Sequence, residues 1–139
     1  MFDILVDDQR DHMADIICRT GSGAFVIIKQ LLGQIDTLYL DHDLGMEPEI
    51  EVIMPDEQVA KFESTGYGIC CYLERLAQLE NGKDYLPKTV QLVSSSPVGL
   101  ERMRTVLSKL YPYRDEGRYT FTSQESEEWR EKLRGGDLQ

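Results

Sequence analysis

Apolar residues along this chain fall into short runs with sharp polar stops and into longer stretches with helical spacing. Phe2 to Val6 is compact, partly β-branched or aromatic, and halts at Asp7-Asp8, which predicts a buried strand ending in acid. Asp15 to Thr20 predicts a second strand, and Gly21-Ser22-Gly23 breaks the chain with Ser22 as the expected helix N-cap. Phe25, Ile28, Leu31 and Leu32 then recur at helical spacing, and Gly33 supplies the stop. Ile35 to Leu40 predicts a third strand, also ending in acid at Asp41-His42-Asp43.

Residues 46 to 64 break this rhythm. Two prolines and many carboxylates make the segment a poor core element, so it reads as an acidic insertion lying over the third strand. The alternation Glu49-Ile50-Glu51-Val52 predicts a short exposed strand or hairpin arm within it. Regular patterning resumes at Thr65-Gly66-Tyr67, where Ile69, Cys70, Leu73, Leu76 and Ala77 share a helical face that ends at Asn81-Gly82. Val90 to Val93 predicts a fourth strand. Ser96 at N-cap with Pro97 at the first helical position then opens a helix carrying Leu100, Met103, Leu107 and Leu110. Tyr119 to Thr122 suits a last strand. Thr122 with Glu125 forms a capping-box pattern for a polar helix to about Arg134, and Gly135 to Gln139 reads as a frayed tail. Strands alternating with helices imply an α/β fold, a parallel sheet covered by helices on both faces.

With 139 residues, the chain suits one domain, residues 1–139, with a core large enough to need no staple. The three cysteines, Cys18, Cys70 and Cys71, are an odd set with two adjacent and no CxxC pair, so free thiols in a reducing cytoplasm are expected. No apolar run is long enough to span a membrane, and the acidic start of the chain is unlike a secretory signal. Lys and Arg number 15 against 25 Asp and Glu, a net charge of −10, which argues against broad binding of nucleic acid or anionic lipid.

Part of that charge is collected in one place. In a parallel sheet, Asp7-Asp8, Asp41-His42-Asp43 and Ser94-Ser95-Ser96 all leave strands on one edge, the edge where such sheets bind ligands. Carboxylates that close cannot all stay ionised without a counter-cation. A hard divalent ion, Mg²⁺ or else Mn²⁺, held by Asp7, Asp8, Asp41 and Asp43 is the expected solution. His42 has two readings: an acid or base for phosphoester chemistry, or an imidazole satisfied against a neighbouring element. Arg10 either clamps a phosphate or pairs with Asp8 or Asp11. Tyr67 either stacks on a base or belongs to the core, and Arg102 and Arg104 read as solvated surface.

These residues also carry a resemblance. Asp7-Asp8-Gln9-Arg10, Leu40-Asp41-His42-Asp43-Leu44-Gly45, Thr65-Gly66-Tyr67 and Ser94-Ser95-Ser96-Pro97-Val98-Gly99 with Glu101-Arg102-Met103 resemble a receiver-like family that processes cyclic phosphates. That family shows a DD-x-R start, LDHDLG, a TGY-type helix start and an HSxNPVG-type turn. The resemblance covers about residues 2 to 110. It implies a three-layer fold with a five-stranded, mostly parallel sheet in the receiver/flavodoxin-like order 2-1-3-4-5, interrupted by the acidic insertion after the third strand. It further implies that Asp7 and Asp8 hold the metal, that Asp41 is a ligand or phosphoacceptor, and that Ser94 contacts a phosphoryl oxygen, with Ser95 and Ser96 beside it.

Three departures stand out. Val93 replaces the family's histidine, Ser96 replaces its asparagine, and Phe121-Thr122-Ser123-Gln124 stand where a receiver has its lysine. Lysine neutralises phosphoryl charge, so its loss argues against a stable aspartyl phosphate. The expected function is metal-dependent binding or hydrolysis of a cyclic-phosphate or nucleotide ligand, with Asp41, His42 and Ser94 as catalytic groups. The alternative is a non-catalytic receiver-like regulator acting through a protein partner, or through the acidic insertion seated on a basic surface.

Overall fold

The computed structural model describes residues 1–110 apart from His12 and Met46. The expected strand at Tyr119–Thr122, the helix to Arg134 and the tail Gly135–Gln139 lie outside these residues. Four strands, β1 (Phe2–Val6), β2 (Ile16–Cys18), β3 (Ile35–Leu40) and β6 (Thr89–Leu92), form one sheet in the order β2-β1-β3-β6. Every neighbouring pair is parallel, so all four chains leave the sheet at the same edge.

Register decides which side chains meet. Ile4, Leu38 and Val90 lie across from one another, as do Val6, Leu40 and Leu92, and all six are fully buried. Removing such branched side chains from water is the main stabilising contribution, about 1.5–3 kcal/mol for each. They face α1 (Gly21–Gln30), α2 (Gly66–Ala77) and α3 (Pro97–Leu110), whose buried stripes include Phe25 and Ile28, Ile69 and Leu73, and Met103 and Leu107. Both helical crossovers, β2–α1–β3 and β3–α2–β6, progress in the same direction across the sheet. The right-handed rule therefore places α1 and α2 on one face. Residues 7–15, by contrast, join β1 to β2 without a described helix.

Polar caps set where helices begin. Thr20, rather than Ser22, caps α1: its Oγ1 accepts the Gly23 N–H at 3.0 Å. Thr65 does the same for α2 through Gly68 N at 3.1 Å, and Ser96 for α3 through Gly99 N at 3.1 Å. Each bond satisfies an N–H that the helix itself leaves without a partner. The second helix stops at Ala77, and a separate 3-10 turn at Gly82–Tyr85 precedes β6.

The 46–64 segment contains a hairpin, β4 (Ile50–Ile53) paired antiparallel with β5 (Val59–Phe62). The sequence pattern showed its first arm only. One face of it is core: Val52, Met54, Ala60 and Phe62 are buried in the main hydrophobic cluster. Phe62 stacks on Phe25 with ring centroids 5.7 Å apart and meets Tyr72 edge-on at 5.6 Å, which ties the hairpin to α1 and α2. Cys18, Cys70 and Cys71 are free thiols. No described helix is long and apolar enough to cross a membrane.

Candidate metal and phosphate site

β1 and β3 are adjacent and in register at Val6 and Leu40, so the next residue of each, Asp7 and Asp41, emerges side by side. Both carboxylates are buried, Asp7 fully. Asp8 follows on the exposed side, and oxygens of Asp7, Asp8 and Asp41 lie within 4.8 Å of one another.

The two buried carboxylates are held differently. Asp7 Oδ1 accepts the main-chain N–H groups of Gln9 at 2.9 Å and Arg10 at 3.1 Å, while Oδ2 receives Arg10 Nη1 at 2.7 Å. Asp41 Oδ1 accepts the N–H of His42 at 2.8 Å, and its Oδ2 lies 3.6 Å from the same Arg10 Nη1. Burial, with the charge of Asp7 added, pushes the Asp41 carboxyl up to about 6; the His42 N–H, Arg10 and the Ser94 hydroxyl pull against that rise.

Arg19 is a part of this site that the sequence pattern did not single out. Its Nη1 donates to the carbonyl of Asp7 at 3.3 Å and to that of Arg10, and its Nη2 pairs with Asp11. A guanidinium thus pins the main chain of the loop that presents Asp7, Asp8 and Arg10. Strand register puts it there: Val6 lies across from Cys18 in the parallel pair, so Arg19 emerges beside Asp7.

On the β6 side, the Ser94 hydroxyl hydrogen-bonds Asp41, and its Oγ accepts the Ser96 N–H at 3.2 Å. Ser96 spends its own side chain on the α3 cap, and Ser95 is exposed. Val93, in the place of the family's histidine, is fully buried.

Asp43 and His42 form a separate pair. The exposed Asp43 carboxylate meets His42 Nδ1 at 2.8 Å, so Asp43 is not one of the three clustered carboxylates. The main chain turns after Asp41, and the carboxylate two residues on faces the imidazole instead of the strand edge. The His42 ring lies against the start of α3 so closely that a Cβ on Gly99 would stand 2.5 Å from Cγ. His42 Nε2 is buried and has no hydrogen-bond partner among the described residues. The His42 carbonyl accepts the N–H of Gly66 at 2.9 Å, which seats the α2 start on the same turn. A Cβ at Gly66 would lie 2.1 Å from the Asp41 carbonyl oxygen, so this seat admits only glycine.

Tyr67 is half-buried, and Arg102 covers its ring, the guanidinium carbon 3.9 Å from the centroid, while pairing with Glu63 at 3.1 Å. That contact gives Arg102 a fixed neighbour in place of the open solvent expected for it.

A parallel sheet with paired acids at the ends of β1 and β3, a hydroxyl after β6 and a Ser-Pro helix start is now complete in geometry. The family model of the cyclic-phosphate processing receiver domain matches residues 2–109. The chain belongs to this family. The match reaches every described element, stopping one residue short of the end of α3, and the receiver-like α/β architecture follows from it together with the parallel sheet. Comparison with curated proteins and with solved structures finds no match.

The donor set of this receiver domain suits a hard divalent cation. Of the three clustered carboxylates, Asp7 and Asp41 share the Arg10 guanidinium; all the clustered donors are oxygens, and Asp8 is exposed to water. Mg²⁺ and Mn²⁺ favour that combination, carboxylate oxygens on one side and retained waters on the other.

Proposed function

We propose that this receiver domain holds Mg²⁺ or Mn²⁺ between Asp7, Asp8 and Asp41 and through it binds or hydrolyses a cyclic-phosphate or nucleotide ligand. The observation that carries the proposal is the three carboxylates gathered within 4.8 Å, two of them buried, at the carboxyl edge of the sheet. Bound there, a divalent ion supplies charge to a phosphoryl oxygen and readies a water for attack. The chain does the rest. Asp7 and Asp41 are fixed by main-chain N–H groups, so they need little reorganisation to act as ligands. Ser94 lies beside Asp41, its hydroxyl on that carboxylate and its Oγ accepting the Ser96 N–H; turned away from Asp41, the hydroxyl would donate to a phosphoryl oxygen.

Hydrolysis would add water across one P–O bond of the cyclic ester, leaving a phosphomonoester and a freed hydroxyl. It needs a group to take the water's proton. Among the described residues, His42 is the imidazole at this edge, and its Nδ1 is engaged by Asp43 while its Nε2 is covered. That observation favours a second reading, a receiver-like binder that acts through a protein partner without turnover.

Thermal unfolding with and without Mg²⁺ or Mn²⁺ tests the metal. Wild type should gain several degrees with saturating ion and Asp41→Asn should gain none; no shift with either ion sinks the metal reading. Incubation with cyclic nucleotides and with RNA ended in a cyclic phosphate separates the two functions: phosphomonoester release marks hydrolysis, and saturable binding without product selects the binder.

A further inference from the structure

We propose that Arg10 is an internal counter-ion that occupies the cation's place, so that a divalent ion binds only by displacing this guanidinium from Asp7 and Asp41. The inference rests on the metal reading above and concerns how that site is regulated.

The argument starts from which oxygens are committed. On Asp7, Oδ1 is held by two main-chain N–H groups, and those bonds belong to the loop itself. On Asp41, Oδ1 is held by the His42 N–H. One nitrogen faces the Oδ2 atoms of both, Arg10 Nη1, at 2.7 Å from Asp7 and 3.6 Å from Asp41, and the Ser94 hydroxyl also bonds the Asp41 carboxylate. Mg²⁺ takes its oxygen ligands at about 2.1 Å. A guanidinium nitrogen hydrogen-bonded to Asp7 and ion-paired with Asp41 competes with it for volume and repels it as a like charge.

The loop is built so that this exchange costs it little. Arg19 grips the carbonyls of Asp7 and Arg10 and pairs with Asp11, all without using the Arg10 side chain. The Arg10 N–H stays on Asp7 Oδ1 whatever its guanidinium does. Departure of the side chain therefore leaves the loop main chain anchored, with Asp7 Oδ2 and Asp41 Oδ2 facing the vacated space. The side chain is already one-sixth exposed, 18%, so it has a way out to water. Once displaced, a planar guanidinium beside the site is suited to a phosphate brought in on the ion.

Competition predicts a direction that simple support does not. If Arg10 merely organised the site, removing it would weaken ion binding. If it occupies the ion's place, removing it strengthens binding. Titration of the full chain with Mn²⁺ alone, followed by water-proton relaxation or calorimetry, distinguishes the two. Arg10→Gln should lower the Mn²⁺ dissociation constant about tenfold, the equivalent of one charge-assisted hydrogen bond no longer broken. Arg10→Lys keeps the charge and guards against a folding defect in Arg10→Gln; it should bind Mn²⁺ between wild type and Arg10→Gln. Equal or weaker Mn²⁺ binding by Arg10→Gln, with wild type binding normally, overturns the proposal alone. Absence of Mn²⁺ binding by wild type and by both variants overturns the metal reading, and this proposal with it.

Discussion

At the carboxyl edge of the sheet, Asp7 and Asp41 are buried, bonded to main-chain N–H groups and crowded against each other. In the hairpin segment, Glu49, Glu51, Asp56 and Glu57 are exposed, and the cross-strand pair Glu51–Lys61 is open at 3.8 Å with both side chains mostly in water. Both regions belong to the acidic surplus of the chain, one as its collected part and the other within the 46–64 insertion. Their physics is opposite. Charge at the strand edge is concentrated, desolvated and costly without a cation, whereas charge on the hairpin is dispersed in solvent and nearly free of consequence. The apolar residues reverse the contrast: the acidic hairpin is anchored by Val52, Ala60 and Phe62, which sit in the core.

The largest effect should come from breaking that anchor. Phe62→Ala removes a ring packed on both Phe25 and Tyr72 and should destabilise the protein by about 3–5 kcal/mol in urea unfolding, the usual range for a buried phenylalanine. A loss below about 1 kcal/mol would return the hairpin to the status of a loosely attached insertion.

Next in size is the charge at the edge. Asp41, pushed up to about 6, holds its proton more tightly folded than unfolded. Between about pH 4 and pH 6 the folded state therefore binds more protons, and stability falls as the pH rises through that window. In chelator, the full loss by about pH 7 is on the order of 3 kcal/mol. Asp41→Asn removes this dependence, so it should exceed wild type in stability by about 1–3 kcal/mol at neutral pH, with the advantage gone near pH 4. Urea unfolding of both proteins across that range, without metal, measures the difference directly; parallel curves would contradict it.

The smallest effect belongs to the solvated charges. Glu51→Gln should change stability by less than about 0.5 kcal/mol and leave any Mn²⁺ response unaltered. A larger shift would mean that the hairpin's charge acts on the edge at a distance.

Sequence patterning reached the sheet through β1, β3 and β6 because each is a short apolar run with an abrupt polar stop. The acidic edge was legible for the same reason, since strand ends in a parallel sheet share a side. Val59–Phe62 was not legible: its Val59 faces solvent and its small Ala60 faces the core, so polarity does not alternate along it. The Thr20 cap was missed because Ser22 offers an equal cap two residues on. Which carboxylate joins the cluster was also beyond the pattern. Asp43 and Asp8 look alike in sequence, and only the turn after Asp41 sends Asp43 to His42. Arg10 on Asp41 and Arg19 on the Asp7 carbonyl are tertiary contacts that depend on strand register, not on spacing along the chain.

The bond from Gly66 N–H to the His42 carbonyl gives the hairpin a further meaning. It closes a loop whose two feet stand together on the turn after β3, with the whole hairpin strung between them. A chain closed at its root confines changes made at its far end. The entropy of the closed loop grows only with the logarithm of its length. Lengthening the tip at Asp56-Glu57 should thus cost little and leave the separation of Asp7 from Asp41 untouched. Evolution or an engineer can vary that tip as an address for other molecules while the chemistry beneath it keeps its geometry.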